Sequence, residues 1–149
     1  RIDRKIRVSR PTPESTKDIF RIHLKDIPLY NGFSHDELAA HAAKNVFQET
    51  YRFYEVHEDN EAHSFALSHI LNGGMIASII DQATSFAMRR DEESSKKKPS
   101  GLSKEDLEKA ISFVHRQNID LDHEEAIKEF VEAKQLKPVR MTKCATTLN

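Results

Sequence analysis

Glycine is scarce in this sequence. Among 149 residues there are four, Gly32, Gly73, Gly74 and Gly101. A phosphate-binding P-loop needs two glycines five apart, followed by Lys and Ser or Thr. A dinucleotide fingerprint needs three glycines within six residues. Neither can be built from these positions. Cysteine is scarcer still: Cys144 stands alone, which excludes an internal disulfide framework and fits a reducing, cytoplasmic setting. No apolar run reaches the roughly 18 residues that a membrane span requires. The start, Arg1-Ile2-Asp3-Arg4-Lys5, lacks the apolar stretch of a signal peptide. It also lacks a methionine, which points to a fragment or a processed chain. Charge of one sign is missing too. Lys and Arg number 23 against 24 Asp and Glu, a net charge of -1, so no field favours nucleic acid or an anionic membrane as partner.

What is present is patterned. Hydrophobic residues make up 38% and charged residues 32%, polar for a globular chain but too apolar for full disorder. The length allows one or two compact units. Residues 4–8 alternate charged and apolar side chains, as a short strand does. Thr12 as N-cap and Pro13 at the first helical position predict a helix to about Lys25. Ile19, Phe20, Ile22, His23 and Ile27 are placed around its inner side, and Pro28 stops it. Ser34 and Glu37 form a capping box, predicting a helix to about Tyr51 with Leu38, Ala42, Val46 and Phe47 inward. Residues 52–57 and 63–69, joined by an acidic turn at 58–61, predict a β-hairpin.

Asn72-Gly73-Gly74 opens the most apolar helix. Its stripe of Met75, Ile76, Ile79, Ile80, Ala83, Phe86 and Ala87 fades at Arg89-Arg90. Residues 91–101 read as an exposed, mobile loop. Ser103 caps a helix with Leu107, Ile111 and Val114 inward. Asp122 and Glu125 read as a second capping box, leading a helix with Ile127, Phe130 and Val131 that Pro138 ends. Residues 138–141 predict a last short strand before a polar tail. There are no internal repeats.

Chemistry-bearing motifs mostly fail on spacing. His57, His63 and His69 are six apart, as are His35 and His41, and none forms a His-x3-His pair. Glu61 stands where a zinc protease needs its second histidine. Surface or rim histidines are therefore expected, and no metal site. A calcium loop starting at Asp120 would need Gly at 125 and Glu at 131, where Glu125 and Val131 stand. Lys96-Lys97-Lys98 follows three acids and reads as a solvated loop. Cys144 has no activating setting. Two local signals remain. His23 lies on the inner side of the first helix, where a lone histidine is more often a satisfied core residue than a ligand. Gly73-Gly74 is costly at a helix start unless backbone must approach something closely. Free N–H groups there can face a nucleotide.

Arg1-Ile2-Asp3-Arg4-Lys5-Ile6, then Pro11, then Ile19-Phe20-Arg21-Ile22-His23, resembles an AAA+ ATPase. Asn72-Gly73-Gly74-Met75-Ile76 resembles the glycine-rich start of that family's small-domain helix. An insertion before it, Ile27-Pro28-Leu29 and Arg52-Phe53-Tyr54-Glu55-Val56 with a polar turn, resembles the proteasome-associated ATPases of actinobacteria. The resemblance covers essentially residues 1–142. It implies a mainly α fold: the C-terminal helical lid of the AAA+ module, with an inserted β-hairpin and an N-terminal strand left from the large α/β domain. Residues 1–12 would end that large domain, 13–135 would form the lid with its insertion at about 28–70, and 136–149 would be a C-terminal strand and tail.

The resemblance also implies roles. Arg1 matches the second arginine of the arginine-finger segment, acting in trans on the γ-phosphate of a neighbouring subunit. Ile19 and His23 match positions that line adenine and ribose. Gly73 and Gly74 match the pair that lies against the nucleotide. ATP and Mg²⁺ are the implied ligands, with the Walker lysine, the Mg²⁺ ligands and the catalytic glutamate upstream, so this stretch alone is not expected to hydrolyse ATP. The implied partners are neighbouring subunits of a homohexameric ring, an unfolded or tagged protein substrate, and a 20S proteasome core. One feature departs from the pattern. The resembled proteins end with a penultimate tyrosine, whereas this chain ends Ala145-Thr146-Thr147-Leu148-Asn149. That leaves open a remodelling ATPase without a protease. A non-enzymatic helical interaction domain is the further alternative, and the unpaired strand at residues 4–8 argues against it.

Overall fold

The computed structural model describes residues 10–95 and 97–144. Arg1, the strand expected over residues 4–8, Lys96 and the tail beyond Cys144 lie outside the described residues. Five helices dominate: α1 (Pro13–Leu24), α2 (His35–Val46), α3 (Gly73–Glu93), α4 (Lys104–Asn118) and α5 (Glu124–Ala133). Three strands, β1 (Arg52–His57), β2 (Ala62–Ala66) and β3 (Arg140–Lys143), form one antiparallel sheet in the order β2-β1-β3. None of the described helices is long and apolar enough to cross a membrane.

Helix starts follow local chemistry. Thr12 and Ser15 cap each other reciprocally at α1, with Pro13 in the first turn. The side chains of Ser34, Asn72 and Ser103 accept the amides of Glu37, Met75 and Asp106 at the starts of α2, α3 and α4. At α5 the expected box fails. His123 is the N-cap without a side-chain bond, and Asp122 Oδ1 instead accepts the Glu124 amide at 2.9 Å. Asp122 thus makes a local turn one residue too early to cap.

α1, α2, α3 and α4 pack on one another, and Phe20, Leu38, Ile76, Ile79, Leu107 and Ile111 are fully buried among them. The sheet joins the same core through Phe53, Val56 and Phe65. A bulge between Arg52 and Tyr54 turns Phe53 inward with Val56.

Four further features of the helices differ from the sequence reading. The buried face of α1 is Thr16, Phe20 and Leu24, while Ile22 is 71% exposed and His23 is exposed. At about 100° per residue, Ile22 falls nearly opposite Phe20. α2 ends at Val46, because Gln48 is extended (φ -72°, ψ 141°) ahead of a short 3₁₀ turn at Glu49–Tyr51. α5 ends at Ala133, before the left-handed Gln135 (φ 53°), rather than at Pro138.

The fourth difference is larger. α3 runs past Arg89-Arg90 to Glu93, and Asp91 is buried rather than part of a loop. Asp91 accepts the Ser100 amide at 2.8 Å and the Ser100 hydroxyl. Arg90 donates to Asp106 Oδ2 at 2.6 Å, the Gly101 carbonyl at 2.7 Å and Ser100 Oγ at 2.9 Å. The charges that looked like a solvated helix end hold the far end of the α3–α4 connection.

The histidines are not all at the surface. His115 is 8% exposed, stacks on Phe53 at 4.9 Å and donates from Nε2 to the Arg52 carbonyl at 2.9 Å. His69 packs edge-on to Phe130 at 4.6 Å, and its Nδ1 accepts the Ala66 amide at 3.0 Å. His123 lies 4.8 Å from Phe53. These rings join the hairpin to α4 and α5. Burial pushes His69 and His115 below the ordinary imidazole range, with Lys134 and Arg116 adding to the respective shifts. The unfolded chain, titrating near pH 6.5, therefore binds more protons than the native one below that pH. Their stabilisation is complete above about pH 6.5 and is lost as pH falls through the lower native values. The urea midpoint is expected to drop between pH 7.5 and 5.5, and a His115→Phe variant to show a shallower drop. A midpoint independent of pH over that range would contradict rings held neutral by burial at His115 and partial burial at His69.

Candidate functional site

α1 and α3 lie side by side. They carry the four described residues singled out from the sequence. Ile19 is half-buried and packs against the core, as does Met75 at the start of α3. His23 sits one residue before the end of α1 with its ring exposed, not in the core. Together with exposed Ile22 it gives the last turn of α1 an open face of apolar and imidazole character.

The start of α3 is bare. Asn72 is extended (φ -146°, ψ 172°) and its side chain takes the Met75 amide at 2.8 Å. The amides of Gly73 and Gly74 lie ahead of the intrahelical ladder. A Cβ on Gly73 would meet nothing within 4 Å, and one on Gly74 only Asn72 Oδ1 at 3.3 Å. Neither glycine has a left-handed φ. Packing inside the described chain thus requires neither, although glycine gives up more backbone freedom on entering a helix than alanine does. Two amides at the positive end of a 21-residue helix can hold an anion, phosphate included, and among the described residues only the Asn72 side chain comes near them. None of Ile19, His23, Gly73 and Gly74 offers a hard oxygen side chain, so Mg²⁺ would have to be held elsewhere.

The structure therefore brings the helices of Ile19, His23, Gly73 and Gly74 together, while Arg1 lies outside the described residues. Sequence reasoning missed the Arg90–Asp91–Ser100–Asp106 network at the other end of α3. The only signal available was a run of charges, which ordinarily marks solvent. Cys144 is partly buried, and burial raises its thiol pKa, which does not favour a nucleophile.

The fold and site define a small, mainly helical unit with a three-stranded sheet and a glycine-started helix. No family model matches the chain. It is similar to a curated protein of Corynebacterium kroppenstedtii described as "AAA ATPase forming ring-shaped complexes", 31% identical over 134 residues. The match takes in 81% of this chain but only 23% of that relative's length.

Proposed function

We propose that this chain is the nucleotide-sensing helical lid of a ring-forming AAA+ ATPase. The observation that carries the reading is its similarity, through most of its length, to a ring-forming ATPase. The start of α3 and the exposed end of α1 suit it, because among the described residues both are left open to a nucleotide and a large α/β domain. On this reading ATP sits between that domain and the lid. Ile19 and His23 contact adenine and ribose, and the Gly73 and Gly74 amides approach the nucleotide. Arg1 acts as an arginine finger on the ATP of the next subunit, where it stabilises charge developing on the γ-phosphate. Hydrolysis in the intact protein changes the angle between lid and large domain, and in a hexameric ring that motion pulls on a protein chain and unfolds it. The resemblance of the hairpin insertion extends the proposal to a cytoplasmic unfoldase that feeds a proteasome.

The test is nucleotide affinity of the intact protein. His23→Ala is expected to weaken binding of a fluorescent ATP analogue about tenfold, equivalent to about 1.4 kcal/mol. Gly73→Val is expected to weaken it at least as much while leaving the fold intact, because a Cβ there meets no described atom within 4 Å. Affinity unchanged in both variants would remove α1 and α3 from the nucleotide site.

A further inference from the structure

The tip of the hairpin gathers three side chains that neither the core nor the nucleotide reading uses. The Glu58 amide donates to the Glu61 carbonyl at 2.8 Å and closes the turn. His63 follows in β2, held in register opposite Val56. Its Nε2 lies 3.1 Å from Glu58 Oε1 and 3.4 Å from Glu61 Oε2. One ligand atom from each of the three residues lies within 4.8 Å of the others. Four-coordinate zinc, with bonds of about 2.0–2.2 Å, needs neighbouring ligand atoms about 3.3–3.6 Å apart. The two imidazole–carboxylate separations are close to that edge. A single imidazole N–H cannot satisfy two carboxylates equally, whereas a cation between the three atoms can.

A contact from outside the trio aims one of the carboxylates. Glu58 Oε2 accepts the Lys137 amide at 3.1 Å, from the connection between α5 and β3. That bond occupies the far oxygen and leaves Oε1 facing His63, as a supporting hydrogen bond does for a metal ligand. The spacing is Glu-x-x-Glu-x-His on a turn and strand, so rules built for histidines on a helix pass over it.

We propose that Glu58, Glu61 and His63 bind one divalent transition-metal ion of the zinc type, with water in the open position. Imidazole in the set favours such an ion over Mg²⁺ or Ca²⁺. The ion would pin the hairpin tip and, through Glu58, the segment at Lys137.

The experiment titrates the metal-stripped protein with Zn²⁺ alone, in competition with a chromophoric chelator. One Zn²⁺ per chain is expected, and the thermal midpoint is expected to rise with Zn²⁺. Glu61→Gln and His63→Ala are each expected to weaken binding at least tenfold, while His41→Ala, a histidine paired with Glu108 elsewhere on the surface, leaves it unchanged. Glu61 is exposed, so its substitution leaves the fold intact and decides the matter if His63→Ala fails to fold. No bound Zn²⁺, or binding undiminished in Glu61→Gln, would reduce the trio to an ion pair and overturn the site.

Discussion

Gly101→Ala is expected to destabilise the protein by about 3 kcal/mol or more, through two causes that add. Gly101 has φ +93°, a conformation that a Cβ disfavours. Its Cβ would also lie 2.3 Å from the Leu29 carbonyl carbon, 2.5 Å from its oxygen and 2.6 Å from the Tyr30 nitrogen. These are backbone atoms, and they cannot give way independently. The Leu102 amide donates to the Pro28 carbonyl at 2.9 Å, and the Tyr30 amide donates to the Leu102 carbonyl at 2.8 Å. Relieving the clash means pulling this parallel bridge apart. Gly32 supplies the control, because it has φ +94° but open space around its Cβ. Gly32→Ala is expected to cost only the conformational part, about 1–2 kcal/mol. Urea unfolding of both variants separates the two causes. Equal losses would mean that the Leu29 contact relaxes freely.

The second large effect is expected from Arg90→Met, at about 3 kcal/mol. The Asp106 side chain is 4% exposed, and Arg90 is its cationic partner at 2.6 Å. Removing one member of a buried pair typically costs about 3–5 kcal/mol, because the charge left behind is uncompensated. The lower end applies, since the Arg90 side chain is 34% exposed and Asp106 keeps the amide and hydroxyl of Ser103. A double-mutant cycle checks the cause. In an Asp106→Asn background, Arg90→Met is expected to cost less than half as much, because a neutral amide does not need the guanidinium. An undiminished cost in that background would assign the effect to the Arg90 bonds with Ser100 and Gly101 instead.

These two sites also mark what the sequence could not convey. Helix starts were legible because Thr12, Ser34, Asn72 and Ser103 act on amides three residues away. The hairpin was legible from its aromatic and β-branched residues, although β2 is Ala62–Ala66 and residues 67–69, expected to continue it, form a 3₁₀ turn. Where a partner lies far along the chain, the local pattern misleads. Arg90 and Asp91 look like a solvated end until Ser100 and Asp106 come round to them. His115 looks like any polar residue of α4 until the Arg52 carbonyl, on another element, takes its N–H. The candidate nucleotide site falls between these cases. Gly73-Gly74 was conspicuous as a costly helix start, and among the described residues only Asn72 comes near the place of either missing Cβ. The inward placement of His23 was an error of helical phase, and its exposed ring suits a contact made outside the described residues better than a core position.

The order of the sheet bears on how the chain assembles as it is made. β1 is the central strand, with β2 on one side and β3 on the other, and its His57 pairs with Arg140. β2 follows it at once, so one edge of β1 is covered as soon as the hairpin closes. The other edge stays open during synthesis of α3, α4 and α5. Over that interval Phe53, Tyr54 and Val56 form an aromatic, β-branched segment with a free ladder of amides and carbonyls, the kind of surface on which a second nascent chain can seat. Completion of β3 ends that exposure, so any event that delays translation between α3 and β3 lengthens the time in which two copies can pair wrongly.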